Sequence, residues 1–222
     1  MRRPCVIVWE GVDGAGKTTL MNRVKTLLEE KGFKVLTYKT PSNSPTGEFA
    51  RRYGNESDID SLTRMLLFLA NTSDDSKIMK EELAQSPDFY FIDRYYLCSI
   101  VYGLAFTKLG GIDVSENEFL QLLDMIEKLG EKIFLKPDLY VIVDAPEEDR
   151  IKRLKKKRSQ GGLEDKLERD LLMQQYVRQL YKVFAEARSD QVLWILNLEG
   201  RLEEAAREVI EKLTSMDCFR NP

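Results

Sequence analysis

The chain has no histidine among its 222 residues. That removes the side chain most often used as a general base near neutral pH and as a ligand of transition metals. Its chemistry has to run on carboxylates, cations, hydroxyls and a bound metal ion. Phosphoryl transfer fits this restriction, because it depends mainly on positioning and charge neutralisation. Cysteine is scarce: Cys5, Cys98 and Cys218 are odd in number and far apart, the pattern expected of reduced thiols and not of a disulfide framework or a zinc site. No apolar run approaches the length of a membrane span. Only five apolar residues, Cys5 to Trp9, separate the Arg2-Arg3 pair from Glu10, too few for the core of a signal peptide. A net charge of −3 leaves no basic field of the kind that attracts nucleic acid. The expectation is a cytoplasmic protein with neither a membrane nor a nucleic acid as partner, folded as a single domain over residues 1–222.

What is present begins with Gly11-Val12-Asp13-Gly14-Ala15-Gly16-Lys17-Thr18-Thr19, which matches the phosphate-binding pattern G-x-x-x-x-G-K-[ST]. The run Cys5-Val6-Ile7-Val8-Trp9 just before it reads as a buried parallel strand. After it, Leu20, Val24, Leu27 and Leu28 fall on one face of a helix. Glycines let the loop curl so that successive N–H groups point at phosphate oxygens, and the helix start adds its partial positive charge. Lys17 is then placed for the β- and γ-phosphates, and the Thr18 hydroxyl for Mg²⁺. With strand, loop and helix in this order, the chain is expected to bind a nucleoside triphosphate.

Strand and helix signals alternate along the remainder. Lys34–Tyr38, Phe89–Ile92, Leu139–Val143 and Gln191–Leu196 read as further strands. Pro41–Pro45 reads as a loop. Asp58-Ile59-Asp60-Ser61 can cap a long helix with Leu62, Met65, Leu66, Leu69 and Ile78 on its apolar face. Helices are also expected over 95–108, over 115–128 and from about Arg201. This order predicts an α/β fold in three layers, a five-stranded parallel sheet flanked by helices, with ligands at the carboxyl ends of the strands. One segment breaks the rhythm. Arg150 to Arg158 places seven cations in nine residues and leads into Ser159-Gln160-Gly161-Gly162. A charge run is usually a solvated helix face, but its place after the fourth strand favours a basic lid over residues 150–163.

Neither an N-K-x-D nor a separate D-x-x-G is present, which argues against a GTPase switch. The third strand ends in Asp93-Arg94-Tyr95, where Asp93 suits Mg²⁺ and Arg94 can hold a second anion facing the triphosphate. A donor phosphate facing a second anion is the arrangement of a nucleotide kinase. A nucleoside kinase must deprotonate a neutral hydroxyl and needs a carboxylate near the acceptor, whereas the second strand here is followed by Thr40 and Ser42. A monophosphate acceptor is already ionised, so a monophosphate kinase is the better reading.

At these residues the chain resembles the thymidylate (dTMP) kinases. Trp9–Thr19 is similar to that family's F-E-G-x-[DE]-G-x-G-K-[ST]-[ST], and Asp93-Arg94-Tyr95 with Cys98, Ser99 and Tyr102 is similar to its D-R-Y-x-x-S-x-x-A-Y. Pro137-Asp138-Leu139, Asp144 and Lys152-Arg153 resemble a third segment, and Glu168, Arg178 and Tyr181 the helix after the lid. The resemblance implies ATP and dTMP as substrates, Mg²⁺ as cofactor and a homodimer. It also implies that Asp13 meets the 3′-hydroxyl, that Arg94 bridges acceptor and transferring phosphates, and that Phe68 stacks on the base. Ser99 and Tyr102 would line the acceptor site, with Tyr102 under the sugar, and Arg153 would lie over adenine.

Two departures matter. Four residues after Phe68 the family usually carries an arginine that reads a thymine carbonyl, and here it is Thr72. Some members place an arginine inside the phosphate loop where this chain has Gly14, so the compensating catalytic cation is expected from Arg153 or Arg158. An acceptor such as dUMP, or a module that binds ATP without transferring phosphate, remain the alternatives.

Overall fold

The computed structural model describes residues 3–55, 59–159 and 171–220. Five parallel strands, β1 (Cys5–Gly11), β2 (Val35–Lys39), β3 (Phe89–Asp93), β4 (Leu139–Asp144) and β5 (Val192–Leu196), form one sheet in the order β2-β3-β1-β4-β5. Central strands covered on both faces must be apolar on both. Accordingly β1, β3 and β4 are buried along their whole length. The outer strands β2 and β5 are only partly buried.

The helices are α1 (Lys17–Glu30), α2 (Pro45–Gly54), α3 (Ser61–Leu83), α4 (Tyr96–Leu109), α5 (Glu116–Leu129), α6 (Glu147–Ser159), α7 (Leu171–Ala187), α8 (Leu202–Ser215) and α9 (Asp217–Arg220). They pack in two groups: α1 against α8, and α2 to α5 with α7 against one another. Local chemistry accounts for the starts. Asp60 accepts the Thr63 N–H at 2.8 Å at the head of α3. Ser115 and Glu118 form a reciprocal capping box on α5. The five-stranded parallel sheet and its flanking helices are those expected from the sequence.

Three expectations need correction. Helix α2 begins at Pro45, the last residue of the expected Pro41–Pro45 loop, and runs through a stretch where no helix is expected. Its signals are Ser44, whose hydroxyl accepts the Gly47 N–H at 3.2 Å, and Pro45 in the first turn. The inward face of α3 is also not the expected apolar one. Met65 and Leu69 are buried, but Leu62 and Leu66 are more than half exposed and Ile78 is 40% exposed. Arg64, Asn71, Thr72, Asp75 and Ser76 face inward instead. The helix borders a cavity lined by both charged and apolar side chains, so some of its buried face is polar.

The third correction concerns the cysteines. Cys5 at the start of β1 and Cys218 on α9 form a disulfide, their Cα atoms 5.6 Å apart, across 213 residues of sequence. Their separation in the chain hid a contact that only the docking of the C-terminal helix creates. Cys98 is the one free thiol among the described residues. Thiol titration in denaturant should therefore find one reactive cysteine before reduction and three after it. Three at the outset would show that the pair is not bonded.

Candidate active site

The phosphate-binding loop leaves β1 at Gly11 and enters α1 at Lys17, beside the carboxyl ends of β3 and β4. Gly14 and Gly16 take φ values of +79° and +84°, which side chains other than glycine rarely adopt. A Cβ at residue 14 would also lie 3.0 Å from the Leu154 side chain and 3.1 Å from the Arg150 carbonyl. A side chain at this position would be strained by its backbone and would require α6 to give by a few tenths of an ångström. Val12 and Ala15 are buried and brace the loop from below, whereas Thr18 and Thr19 at the start of α1 are exposed.

Lys17 is buried and ion-paired with Asp93, the last residue of β3. The Thr18 hydroxyl donates to the other Asp93 oxygen at 3.2 Å. Burial, with the like charge of Arg94 nearby, lowers the Lys17 pKa to about 7. The Glu10 carboxylate opposes the shift. A threonine hydroxyl beside a carboxylate is a hard oxygen pair that suits Mg²⁺, an ion that takes few protein ligands and keeps water and phosphate oxygens. Among the described residues no cluster of three or more acidic or sulfur side chains is placed to hold a metal ion.

Arg94 follows Asp93 with φ at +69°. Positive φ is uncommon outside glycine and recurs where function over-determines the backbone. Here the turn is held because the Arg94 N–H donates to the Trp9 carbonyl at 3.0 Å and its own carbonyl accepts the Thr40 hydroxyl at 2.9 Å. The guanidinium is aimed at the loop. It pairs with Asp13, donates to the Cys98 sulfur at 3.0 Å and lies 5.2 Å from the Tyr102 ring centroid. Burial pushes the Cys98 thiol up to about 11, so it stays a neutral acceptor to Arg94. Asp13 also accepts from the Tyr102 hydroxyl at 2.8 Å and from Gln174 at 3.1 Å. Burial opposes its ionisation, but Arg94, Tyr102 and Gln174 outweigh that and hold the carboxyl below the ordinary aspartate range.

These residues border a cavity of about 510 Å³ between α3, α4 and the segment after β2. Asp13, Phe68, Thr72, Arg94, Ser99 and Tyr102, all expected from the sequence in the acceptor site, line this one cavity. Lys39 and Arg51 line it too, with Arg51 tied to the Pro41 carbonyl at 2.8 Å. The basic segment divides. Arg153 donates to the Ala15 carbonyl at 3.0 Å and to the Asn197 carbonyl at 2.9 Å, bracing the loop against the segment after β5. Lys152, Lys155 and Lys156 are exposed. The Arg158 side chain, the Gly161-Gly162 tip and Glu168 lie outside the described residues.

Several supporting residues have roles that were not expected from the sequence. Arg150 is fully buried and donates to the Asp13 carbonyl at 2.7 Å, although a cation inside a charge run reads as solvated. Gln174 on α7 grips Asp13 twice, accepting its N–H at 3.0 Å as well. Glu10 is buried and accepts the Tyr95 N–H at 2.9 Å and the Tyr181 hydroxyl at 2.8 Å. It thereby supplies a carboxylate to the start of α4, where the helix dipole favours one. Burial raises its pKa, and the Arg94 charge opposes the rise. Arg178 on α7 holds Asp144 at 3.0 Å.

A family model of thymidylate kinases matches residues 9–209 of this sequence. The chain belongs to the thymidylate kinase family. It is 31% identical over 210 residues to a probable thymidylate kinase of Archaeoglobus fulgidus, covering 95% of each chain. To a thymidylate kinase of Caldicellulosiruptor saccharolyticus it is 33% identical over 210 residues, 93% of this chain and 92% of that one. The fold is shared with the solved thymidylate kinase of Candida albicans at a TM-score of 0.71 and 21% identity, covering 99% of this chain and 95% of the other.

The buried lysine of this family member generates a prediction about nucleotide binding. An incoming triphosphate favours the charged form of Lys17, so binding of Mg²⁺-ATP between pH 7 and 8 should take up a proton and weaken as pH rises past 7. Calorimetric titration in two buffers of different ionisation heat measures the uptake, which should vanish in Lys17→Met.

Proposed function

We propose that this member of the thymidylate kinase family transfers the γ-phosphoryl group of ATP to dTMP, giving ADP and dTDP, with Mg²⁺ as cofactor. One observation carries the reading. Among the described residues lining the acceptor cavity, Lys39, Arg51, Arg64 and Arg94 are cations and Asp13 is the only acid. Asp13 is held ionised by its partners and makes a poor base. A neutral hydroxyl acceptor would lack a group to take its proton, whereas a monophosphate oxygen is already anionic and needs only cations to approach a second anion.

In this reading an oxygen of the acceptor phosphate attacks the γ-phosphorus and ADP departs, with no proton to remove from the nucleophile. The loop N–H groups and Lys17 hold the β- and γ-phosphates. Arg94 leaves Asp13 to bridge the two reacting phosphates, and Asp13 then meets the 3′-hydroxyl of the sugar. Phe68 stacks on the base, Ser99 lines the site beside it, and Tyr102 packs under the sugar. Thr18 and Asp93 would hold Mg²⁺, which when bound neutralises phosphate charge and orients the triphosphate. Arg153, already on the loop, lies over adenine, and Arg158 is a further candidate for the cation that Gly14 does not supply. A homodimer is proposed as well. It would use the outward side of α3, where Leu62 and Leu66 are exposed one turn apart.

A coupled assay of ADP release with dTMP, dUMP, dCMP and dAMP tests the reading, and dTMP should be the best acceptor. ATP hydrolysis without transfer to any of them would support a module that binds ATP without kinase activity. Arg94→Met should lower kcat by about 10²-fold or more, the scale of removing one preorganised donor from a transition state. Asp13→Asn should raise KM for dTMP more than KM for ATP, since its contacts lie on the acceptor side. Equal changes in both constants would place Asp13 in a general structural role.

A further inference from the structure

The family's base-reading arginine is missing at Thr72, and Thr72 does not replace it. Its hydroxyl donates to the Phe68 carbonyl at 3.0 Å, and the residue is only 1% exposed. One turn of α3 on the other side of Phe68 stands Arg64. Residues 64, 68 and 72 follow one another at intervals of four, so they share a helix face. Arg64 is 7% exposed and lines the same cavity as Phe68, Thr72, Tyr102 and Phe106. Its guanidinium carbon lies 4.1 Å from the Phe106 ring centroid. A guanidinium held by its flat face keeps its N–H donors in its own plane, where they meet polar groups edge-on.

We propose that Arg64 is the base-reading residue of the acceptor site, donating to a ring carbonyl of the pyrimidine stacked on Phe68 in place of an arginine at residue 72. The inference rests on the acceptor reading given above and deepens it. An arginine offers donors only. It therefore favours thymine and uracil, which carry a carbonyl at ring position 4. Cytosine presents an amine there, and that amine would face the guanidinium donor to donor. Specificity of this kind combines attraction to one base with repulsion of the other.

The test is steady-state kinetics with dTMP, dUMP and dCMP at saturating Mg²⁺-ATP, alongside thermal melts. Arg64→Met should raise KM for dTMP and dUMP by about tenfold or more and leave KM for ATP unchanged. It should also collapse the dUMP-to-dCMP ratio of kcat/KM toward one. Adding Thr72→Arg to that variant should restore much of the ratio, because the second position reaches the same base from the next turn of the helix. A purely structural arginine would instead lower turnover of all three acceptors alike and would not be rescued from residue 72. Either that pattern or an unchanged ratio overturns the proposal. Should Arg64→Met fail to fold, Arg64→Gln serves the same purpose. An amide can donate or accept, so its ratio should also fall, and a retained ratio would count against Arg64. If the unaltered protein does not phosphorylate dTMP at all, it is the acceptor reading that fails. Turnover of dTMP that is indifferent to residue 64 defeats only the inference about Arg64.

Discussion

The cavity side of the molecule depends on one partly buried carboxylate. Asp13 sits inside the phosphate-binding loop, yet its partners come from everywhere else: Arg94 from the end of β3, Tyr102 from α4 and Gln174 from α7. Arg150 of α6 fixes the same residue through its backbone carbonyl. One side chain therefore ties the triphosphate site to the wall of the acceptor cavity. A charged hydrogen-bonded network of this kind is strong only while each member is satisfied. In the proposed mechanism an anionic acceptor would exchange the Arg94–Asp13 pair for Arg94–phosphate, leaving Asp13 to the neutral donors Tyr102 and Gln174 and the sugar hydroxyl.

Glu10, immediately before the loop, has the corresponding role on β1. It accepts the N–H groups of Tyr95 and Cys98 and the hydroxyl of Tyr181, and so anchors α4 and α7 to the end of the strand. The two carboxylates, three residues apart, explain why the stretch Glu10–Thr18 can organise helices far away in sequence. The basic segment is organised from the same place. Arg150 and Arg153 turn inward to loop carbonyls while Lys152, Lys155 and Lys156 are exposed. A run that looks uniform in sequence is therefore split by helical periodicity into loop-binding and solvated faces.

The close fit at Gly14 links the loop to the helix that covers it. With no side chain in the loop, α6 can lie directly on it, Leu154 and the Arg150 carbonyl filling the space a Cβ would need. The same approach brings Arg153 onto the loop. Absence of a cation within the loop and presence of cations on the covering helix are thus two aspects of one packing solution.

Much of this was legible in the sequence, because its signals are local. The phosphate-binding loop is read from eight consecutive residues, Gly11–Thr18, and the parallel sheet from short apolar runs separated by helices. The gathering of Asp13, Phe68, Thr72, Arg94, Ser99 and Tyr102 could be expected from two spaced motifs and a family resemblance. What the sequence could not decide is whatever depends on contacts between distant segments. The Cys5–Cys218 bond, the burial of Arg150, the grip of Gln174 on Asp13 and the polar inner face of α3 all arise from elements brought together by packing. Arg64 is the clearest case. In the sequence it is one cation on an amphipathic helix, where solvent is the default for a charge. Only the placement of α3 across α4, with Phe106 against its guanidinium, turns that position inward to the cavity. Periodicity shows which residues share a helix face, but the tertiary structure decides what that face meets.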